Sequence, residues 1–499
     1  MATKIPTEIL IKILKNFKSS GSTRDLYSSL LVNRLWCKVT IPILWELPLG
    51  QNYYWWDRKK MRKNALCIRT YISCMDTQAR NLLIQNGFDL SSSPPQAIFD
   101  YPSFTHKLII VNLGNFVSIY SQQIIGPDHG TIYEYRDLII SILKLPGAPE
   151  VFKKLESFTS TIEKDHICPL YESLILICDN ILNLELSLNS YSQVQLLPKL
   201  INVQKRLENL SIFSNGYLEC DCDSLFWAII SQKETLKSLR LKSINLNRFE
   251  ENSSPIGQFI SLQELSIVGC SFHKSVRLSL ASSFTQLSSF HYSHSRLEDQ
   301  KYSQEFIIKI LETANINLKK IYLDLYPITF DTISAILNYC SKITELTLLN
   351  LSREQVITIF KNNFNELKRF STDCGIKIFD TELLCQMAEN VIESLETIEI
   401  IMVYPVYPRT FNTNGFDSLR KFFEGWCCKG GGNKNVIVKR QGKRLFTLSD
   451  DEEHRSMVYK IYGIFDIVLY DPVKIGTRSL SHLLMTLGLE FSKSATDSK

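Results

Sequence analysis

The chain has 499 residues, of which 44% are hydrophobic and 21% charged. That length is too great for one compact core unless the core grows along one axis, and the composition excludes a globally disordered or collagen-like chain. The net charge is only +5 and is uneven: residues 1–70 hold 13 Lys/Arg against 4 Asp/Glu, so the remainder is slightly acidic. The body therefore lacks the broad basic face that nucleic acid requires.

Residues 4–46 read as three short helices. Pro6 suits a helix start, and Ile9, Leu10, Ile13, Leu14 and Phe17 fall on one helical face with Lys12, Lys15 and Lys18 off it. Ser22-x-x-Asp25 opens a second segment containing Leu26, Leu30 and Leu31, and Trp36 and Ile41-Pro42-Ile43-Leu44-Trp45 close the module. About 45 residues make a marginal independent fold, so a partner would help to stabilise it.

This segment resembles the F-box. The matching residues are Ile5-Pro6, Glu8-Ile9-Leu10, Ile13-Leu14, Val32-Asn33-Arg34-Leu35-Trp36 and Leu44-Trp45, with Ile5 where the family usually has Leu. The resemblance implies docking to the Skp1 adaptor and, through it, to a cullin. Carried over by position, the adaptor-facing candidates are Ile5, Pro6, Ile9, Leu10, Ile13, Leu14, Val32 and Trp36. Some of them must instead form the module's own core, and sequence does not divide the two sets. Two other readings stay open: a helical cap on whatever follows, and a basic targeting presequence, against which Glu8 counts.

Residues 47–150 form a connector with first irregular repeats. Tyr53-Tyr54-Trp55-Trp56 followed by Asp57-Arg58-Lys59-Lys60-Met61-Arg62-Lys63 reads as a linker helix with a solvated basic face rather than a nucleic-acid patch. Ser91-Ser92-Ser93-Pro94-Pro95 marks a loop, and Leu108-Ile109-Ile110-Val111 a strand.

From Leu155 a hexad, Leu-x-x-Leu-x-Leu with substitutions, organises the chain. Its copies start at Ile181, Leu207, Leu236, Leu262, Leu287, Leu318, Ile343, Leu367 and Leu395, spaced 24 to 31 residues apart. Leucine-rich repeats show such a period. A strand alternates faces, so each hexad buries two large side chains and the remaining residues return the chain through a turn and a helix. Helices are expected behind Ser352-Arg353-Glu354-Gln355, which has the capping-box pattern, behind Asp331 and Asp380, and over Gln304 to Leu311. The expected fold is α/β: a solenoid with a curved parallel sheet and outer helices over residues 151–470, after a helical module at 1–46 and before a partly disordered tail at 471–499.

Toward the C-terminus Phe416 to Trp426 reads as helical, and Val436-Ile437-Val438 and Ile464 to Val468 as strands. Gly430-Gly431-Gly432 lacks the Lys-Ser/Thr ending of a phosphate loop, and Asp450-Asp451-Glu452-Glu453 suits a helix N-terminus. Cys220-x-Cys222 and Cys427-Cys428 lack second halves for a zinc site, and no nucleophile elbow or dinucleotide fingerprint occurs. Thirteen cysteines without framework spacing suit a reducing cytoplasmic or nuclear setting. No secretory leader and no membrane span is expected.

These readings describe a binding protein, not an enzyme, with no cofactor and no metal. Outward positions of the expected strands carry mixed charge with a few apolar anchors, which suits a protein ligand. The substrate-facing candidates are Phe213, Arg240, Lys242, Tyr322, Asp324, Leu349 and Arg369. F-box proteins with leucine-rich repeats are substrate receptors of ubiquitin ligases, and that role is what the resemblance implies here. The alternative is a stand-alone repeat scaffold or inhibitor.

Overall fold

A computed structural model describes residues 5–19, 23–46, 67–85, 97–109, 152–160, 168–188, 190–214, 223–246, 259–272, 281, 284–293, 300–362, 364–373, 383, 386–387, 389–390, 394–402, 435–440, 443–449 and 460–461. The chain divides into two units, Met1–Glu264 with Cys270–Val276, and Leu265–Gly269 with Arg277–Lys499.

The first unit begins with helices α1 (Thr7–Ser19), α2 (Thr23–Ser29) and α3 (Arg34–Trp45). The Pro6 carbonyl accepts from the amides of Ile9 and Leu10 and so starts α1. Asn33 caps α3, its Oδ1 accepting from Leu35 N at 2.9 Å and Trp36 N at 3.0 Å. Leu10, Leu14, Leu26 and Ile43 close a small core, with Phe17, Trp36, Val39 and Leu44 packed against it.

Parallel strands follow: β1 (Lys107–Ile109), β2 (Ser157–Ser160), β3 (Asn183–Leu188), β4 (Asn209–Ser214) and β5 (Ser238–Lys242). Register sets Leu108, Phe158, Leu184, Leu210 and Leu239 side by side, all buried. From Phe158 onward this column is the fourth residue of each hexad. Parallel strands need a crossover; the helices Tyr191–Asn202 and Asp223–Ser231 supply it between β3, β4 and β5.

One backbone relation recurs through this unit. The residue before each strand lends its carbonyl to two amides of the next repeat: His106 to Glu156 and Ser157, Glu156 to Leu182 and Asn183, Leu182 to Glu208 and Asn209. Glu46, one residue past α3, does the same for His106 and Lys107. The helical module thus occupies the place of a preceding repeat and covers the exposed end of the ladder.

The side chain of Glu46 strengthens this joint. Its carboxylate pairs with Lys18 Nζ of α1 at 2.8 Å and Lys107 Nζ of β1 at 2.6 Å. Beside it, Trp45 packs on Tyr71 and Tyr101, with ring centroids 5.5 and 4.5 Å away. Burial alone would raise the Glu46 carboxyl, but the hydrogen bonds and charges of the two lysines outweigh it and hold it at about 2. A depressed carboxylate stabilises the fold above its unfolded value of 4.5, and that stability is lost as pH falls toward about 2. Glu46→Gln is expected to flatten the pH dependence of first-unit unfolding across that window, read by urea titrations at successive pH values. An unchanged pH dependence would show that the pair contributes nothing.

The second unit holds Leu265–Val268 of β7 (Glu264–Val268), then β9 (Ser289–Ser293), β10 (Lys320–Asp324), β11 (Glu345–Leu349), β12 (Arg369–Asp373), β13 (Thr397–Met402) and β14 (Asn435–Arg440). From β9 onward these pair in parallel, aligning Phe290, Ile321, Leu346, Phe370, Ile398 and Val436. Helices Gln300–Ala314, Phe330–Tyr339 and Arg353–Lys361 make crossovers. The last has the expected capping box: Ser352 N donates to Gln355 Oε1 at 2.8 Å, and Gln355 N to Ser352 Oγ at 3.3 Å. The helix expected at Asp331 is instead capped by Thr329, whose hydroxyl accepts from Thr332 N, and Asp331 lies in its first turn. A carboxylate there favours the helix N-terminus without being the cap.

With hexads buried in parallel register and helices between strands, the fold is an α/β leucine-rich-repeat solenoid. Two recurring positions were not visible in the hexads. Three residues before six of the hexad starts the side chain is buried: Cys178, Gln204 and Phe259 in the first unit, and Phe284, Cys340 and Phe364 in the second. The first residue after β5, β7 and β11 takes a positive φ: Ser243 56°, Gly269 61°, Asn350 62°. That left-handed step turns the next side chain inward, and Ile244, Cys270 and Leu351 are all buried. In the first unit the turn leads to β6 (Asn245–Leu246), which pairs in parallel with β8 (Ser271–Phe272).

The repeat does not run on to residue 470 as a parallel array. β15 (Lys443–Ser449) pairs antiparallel with β14, and β16 (Lys460–Ile461) antiparallel with β15. Only Gln441 and Gly442 separate β14 from β15, too few residues for a crossover. The Tyr53–Lys63 segment, the Ser91–Pro95 loop, the Phe416–Trp426 helix, Gly430–Gly432, Asp450–Glu453, Ile464–Val468 and the tail lie outside the described residues.

Candidate functional site

The helical module presents one candidate surface. Of its eight predicted adaptor-facing residues, Ile5, Pro6, Ile9 and Val32 are exposed and Ile13 is half-buried. Leu10 and Leu14 are a correction: both are fully buried in the core. They sit one turn apart on the inward side of α1, so they are enclosed by α2 and α3. Trp36 is half-buried against the same core.

Three exposed apolar side chains were missed. Tyr27 of α2, Leu31 in the turn after it, and Leu35 of α3 are 63%, 88% and 44% exposed. Spacing gave no signal: Leu31 lies in the turn between α2 and α3, and the extended Asn33 breaks the helix, so positions four apart do not share a helical face here.

The outward face of the strands is the second candidate. In the first unit Phe213 is half-buried and lies opposite Lys242 in register, while Arg240 and Lys242 are exposed. Arg240 is already paired, its guanidinium 3.3 Å from Glu264. Asn183 and Asn209 form an amide ladder, Nδ2 to Oδ1 at 2.6 Å.

In the second unit Tyr322 and His291 meet edge to face with centroids 4.2 Å apart, and His291 Nδ1 is 3.2 Å from Ser266 Oγ. Beside them runs a polar network. Asp324 accepts from Ser293 Oγ at 2.9 Å and Asn350 Nδ2 at 3.3 Å, and Asp373 accepts from the Asn350 amide. Burial, and then the Asp324 charge, push the Asp373 carboxyl up. Burial, and then both aspartates, push the Tyr322 phenol up. Lys320 pairs with Glu345 at 2.8 Å, and exposed Arg369 approaches Glu399 at 4.0 Å.

Leu349 is another correction. It is only 6% exposed and joins the buried end of β11, so it is no surface anchor. Ser371, Asp373, Thr397 and Glu399 are likewise buried, although strand alternation directs them outward. The open part of this face in the second unit therefore lies on β9, β10, the first half of β11 and Arg369 at the start of β12. Of the cations expected to meet a ligand, Arg240 pairs with Glu264 and Arg369 approaches Glu399, whereas Lys242 has no ion-pair partner among the described residues.

The described cysteines are all free thiols. Burial raises those of Cys178 and Cys340 to about 12, which makes them packing groups rather than nucleophiles. Cys220, Cys222, Cys427 and Cys428 lie outside the described residues.

No protein-family model and no curated protein matches the chain. Several solved structures are similar to it, two of which follow. One is the leucine-rich repeat-containing protein LegL7 from Legionella pneumophila, 14% identical with a TM-score of 0.35, covering 67% of this chain and 98% of that one. The other is from the Rad7 and Elc1 complex in yeast, 13% identical with a TM-score of 0.36, covering 80% of this chain and 94% of the other. The fold assignment rests on the strand register and buried columns above, and not on these likenesses.

Proposed function

We propose that this chain is the substrate-recognition subunit of a Skp1–cullin–F-box ubiquitin ligase, acting in the cytoplasm or nucleus without bond chemistry of its own. Its helical module docks the Skp1 adaptor, through which a cullin is reached, and the open outward face of its strands holds a protein substrate. Rate enhancement then comes from proximity, since the substrate is held near the transferring enzyme. The observation that carries this reading is the exposed apolar set Ile5, Ile9, Leu31, Val32 and Leu35 on a module whose core is already closed. Mixing the full chain with purified Skp1 adaptor is expected to give a stable complex in gel filtration, and separate elution would discard the reading.

A second reading has its own observation. Glu46 continues the backbone ladder, so the module also behaves as an end cap for the repeats. A stand-alone scaffold would need nothing more. Deleting residues 1–46 separates the two: a scaffold loses only solubility, because β1 loses its cover, whereas a ligase receptor also loses adaptor capture.

A further inference from the structure

On each helix of the module an exposed apolar residue and an exposed cation stand three positions apart, and so share one helical face: Ile9 with Lys12 on α1, Arg24 with Tyr27 on α2, Leu35 with Lys38 on α3. Lys12, Arg24 and Lys38 have no ion-pair partner among the described residues, whereas Lys18, on the side facing β1, is held by Glu46. Lys15 and Arg34 add two more exposed cations, against Glu8 and Asp25 as the exposed carboxylates. Glu8 stands one turn before Lys12 on α1 without pairing with it. Each helix of the module therefore sets an exposed cation beside an exposed apolar residue, and the module as a whole exposes five cations, Lys12, Lys15, Arg24, Arg34 and Lys38, against two carboxylates, Glu8 and Asp25.

We propose that the adaptor surface received by this module is an apolar groove rimmed by carboxylates, and that this rim accelerates association. The inference rests on the adaptor reading and names the chemistry of its partner. Apolar groups such as Ile9, Leu31 and Leu35 supply contact that holds the complex, which is a matter of dissociation rate. Charges at the edge remain hydrated and add little to that contact. They steer the encounter, and salt screens them.

The test measures association and dissociation rates between the full chain and purified Skp1 adaptor as salt rises from about 50 to about 300 mM. The wild-type association rate is expected to fall about tenfold across that range with little change in dissociation. The variant Lys12→Gln, Arg24→Gln, Lys38→Gln should associate about tenfold more slowly at low salt and show a flat salt dependence. Arg206→Gln, which removes an exposed cation of the repeats outside the module, should behave as wild type. If the triple variant binds at the wild-type rate, the acidic rim is refuted and adaptor docking stands. If the wild-type chain binds no adaptor at any salt, the receptor reading itself is refuted. If the triple change instead abolishes binding to vesicles containing about one third phosphatidylserine and leaves adaptor kinetics intact, the cations serve a lipid surface and the proposal is overturned.

Discussion

Replacing Ile9 and Leu31 by aspartate is expected to weaken adaptor binding by about 100-fold or more while the thermal unfolding of the chain stays unchanged. Both side chains reach water in the free protein, 46% and 88% exposed, so a carboxylate there costs the fold little. In the complex each carboxylate would have to be dehydrated against an apolar wall. Leu10→Ala should do the reverse. Leu10 is a core residue of a module of only about 40 residues, and a buried leucine truncated to alanine costs about 2–5 kcal/mol. The module then unfolds, β1 loses its cover, and the first unit melts earlier. Adaptor titrations and thermal melts on the same two variants decide the matter. Equal loss of binding and of stability in both would mean that Ile9 and Leu31 are structural and that the docking face lies elsewhere.

That division was the part of the site that sequence could not make. The stripe Ile9, Leu10, Ile13, Leu14, Phe17 is wider than one helix–helix contact needs, so some of it had to remain outside. Which edge is buried depends on where α2 and α3 lie, and no local pattern encodes that. Tyr27, Leu31 and Leu35 escaped notice because they lie on two helices and the turn between them, and their exposure depends on how those elements pack rather than on any local pattern. The hexads were legible because burial in a parallel strand repeats every second residue, and the period placed Phe158 through Ile398 in their columns before any register was known. The left-handed turn was not legible: glycine marks it once, at Gly269, and Ser243 and Asn350 carry it unannounced. Outward-facing was also equated with exposed, which Leu349, Ser371 and Glu399 contradict. Alternation along a strand assigns a face; it does not determine whether that face is covered.

Gln204→Leu is expected to cost the first unit about 3–5 kcal/mol, although it puts an apolar residue of similar size into a buried column that elsewhere holds phenylalanine and cysteine. Gln204 is 3% exposed, and its amide is the local substitute for a missing backbone partner. Its Oε1 accepts from Ile181 N at 2.9 Å, and its Nε2 donates to the carbonyls of Cys178 and Leu200, both at 2.9 Å. Removing the amide leaves one buried N–H and two carbonyls without partners, each worth about 1–3 kcal/mol when orphaned, with the N–H the least tolerated. Gain in apolar transfer offsets only part of this. Gln232 repeats the device one turn of the solenoid later, donating to the carbonyls of Ile201 at 3.2 Å and Gln204 at 3.1 Å, so the loss reaches the neighbouring repeat through a shared backbone group. Repeat proteins are stabilised by such nearest-neighbour terms, and damage at one interface unfastens both sides. The change should therefore appear in urea unfolding as a lower midpoint for the first unit, and in hydrogen exchange as faster exchange at the Ile181 amide. A Gln204→Leu protein as stable as the parent would show that this column selects for volume alone and that water or a rearranged turn satisfies Ile181 as well as the glutamine does.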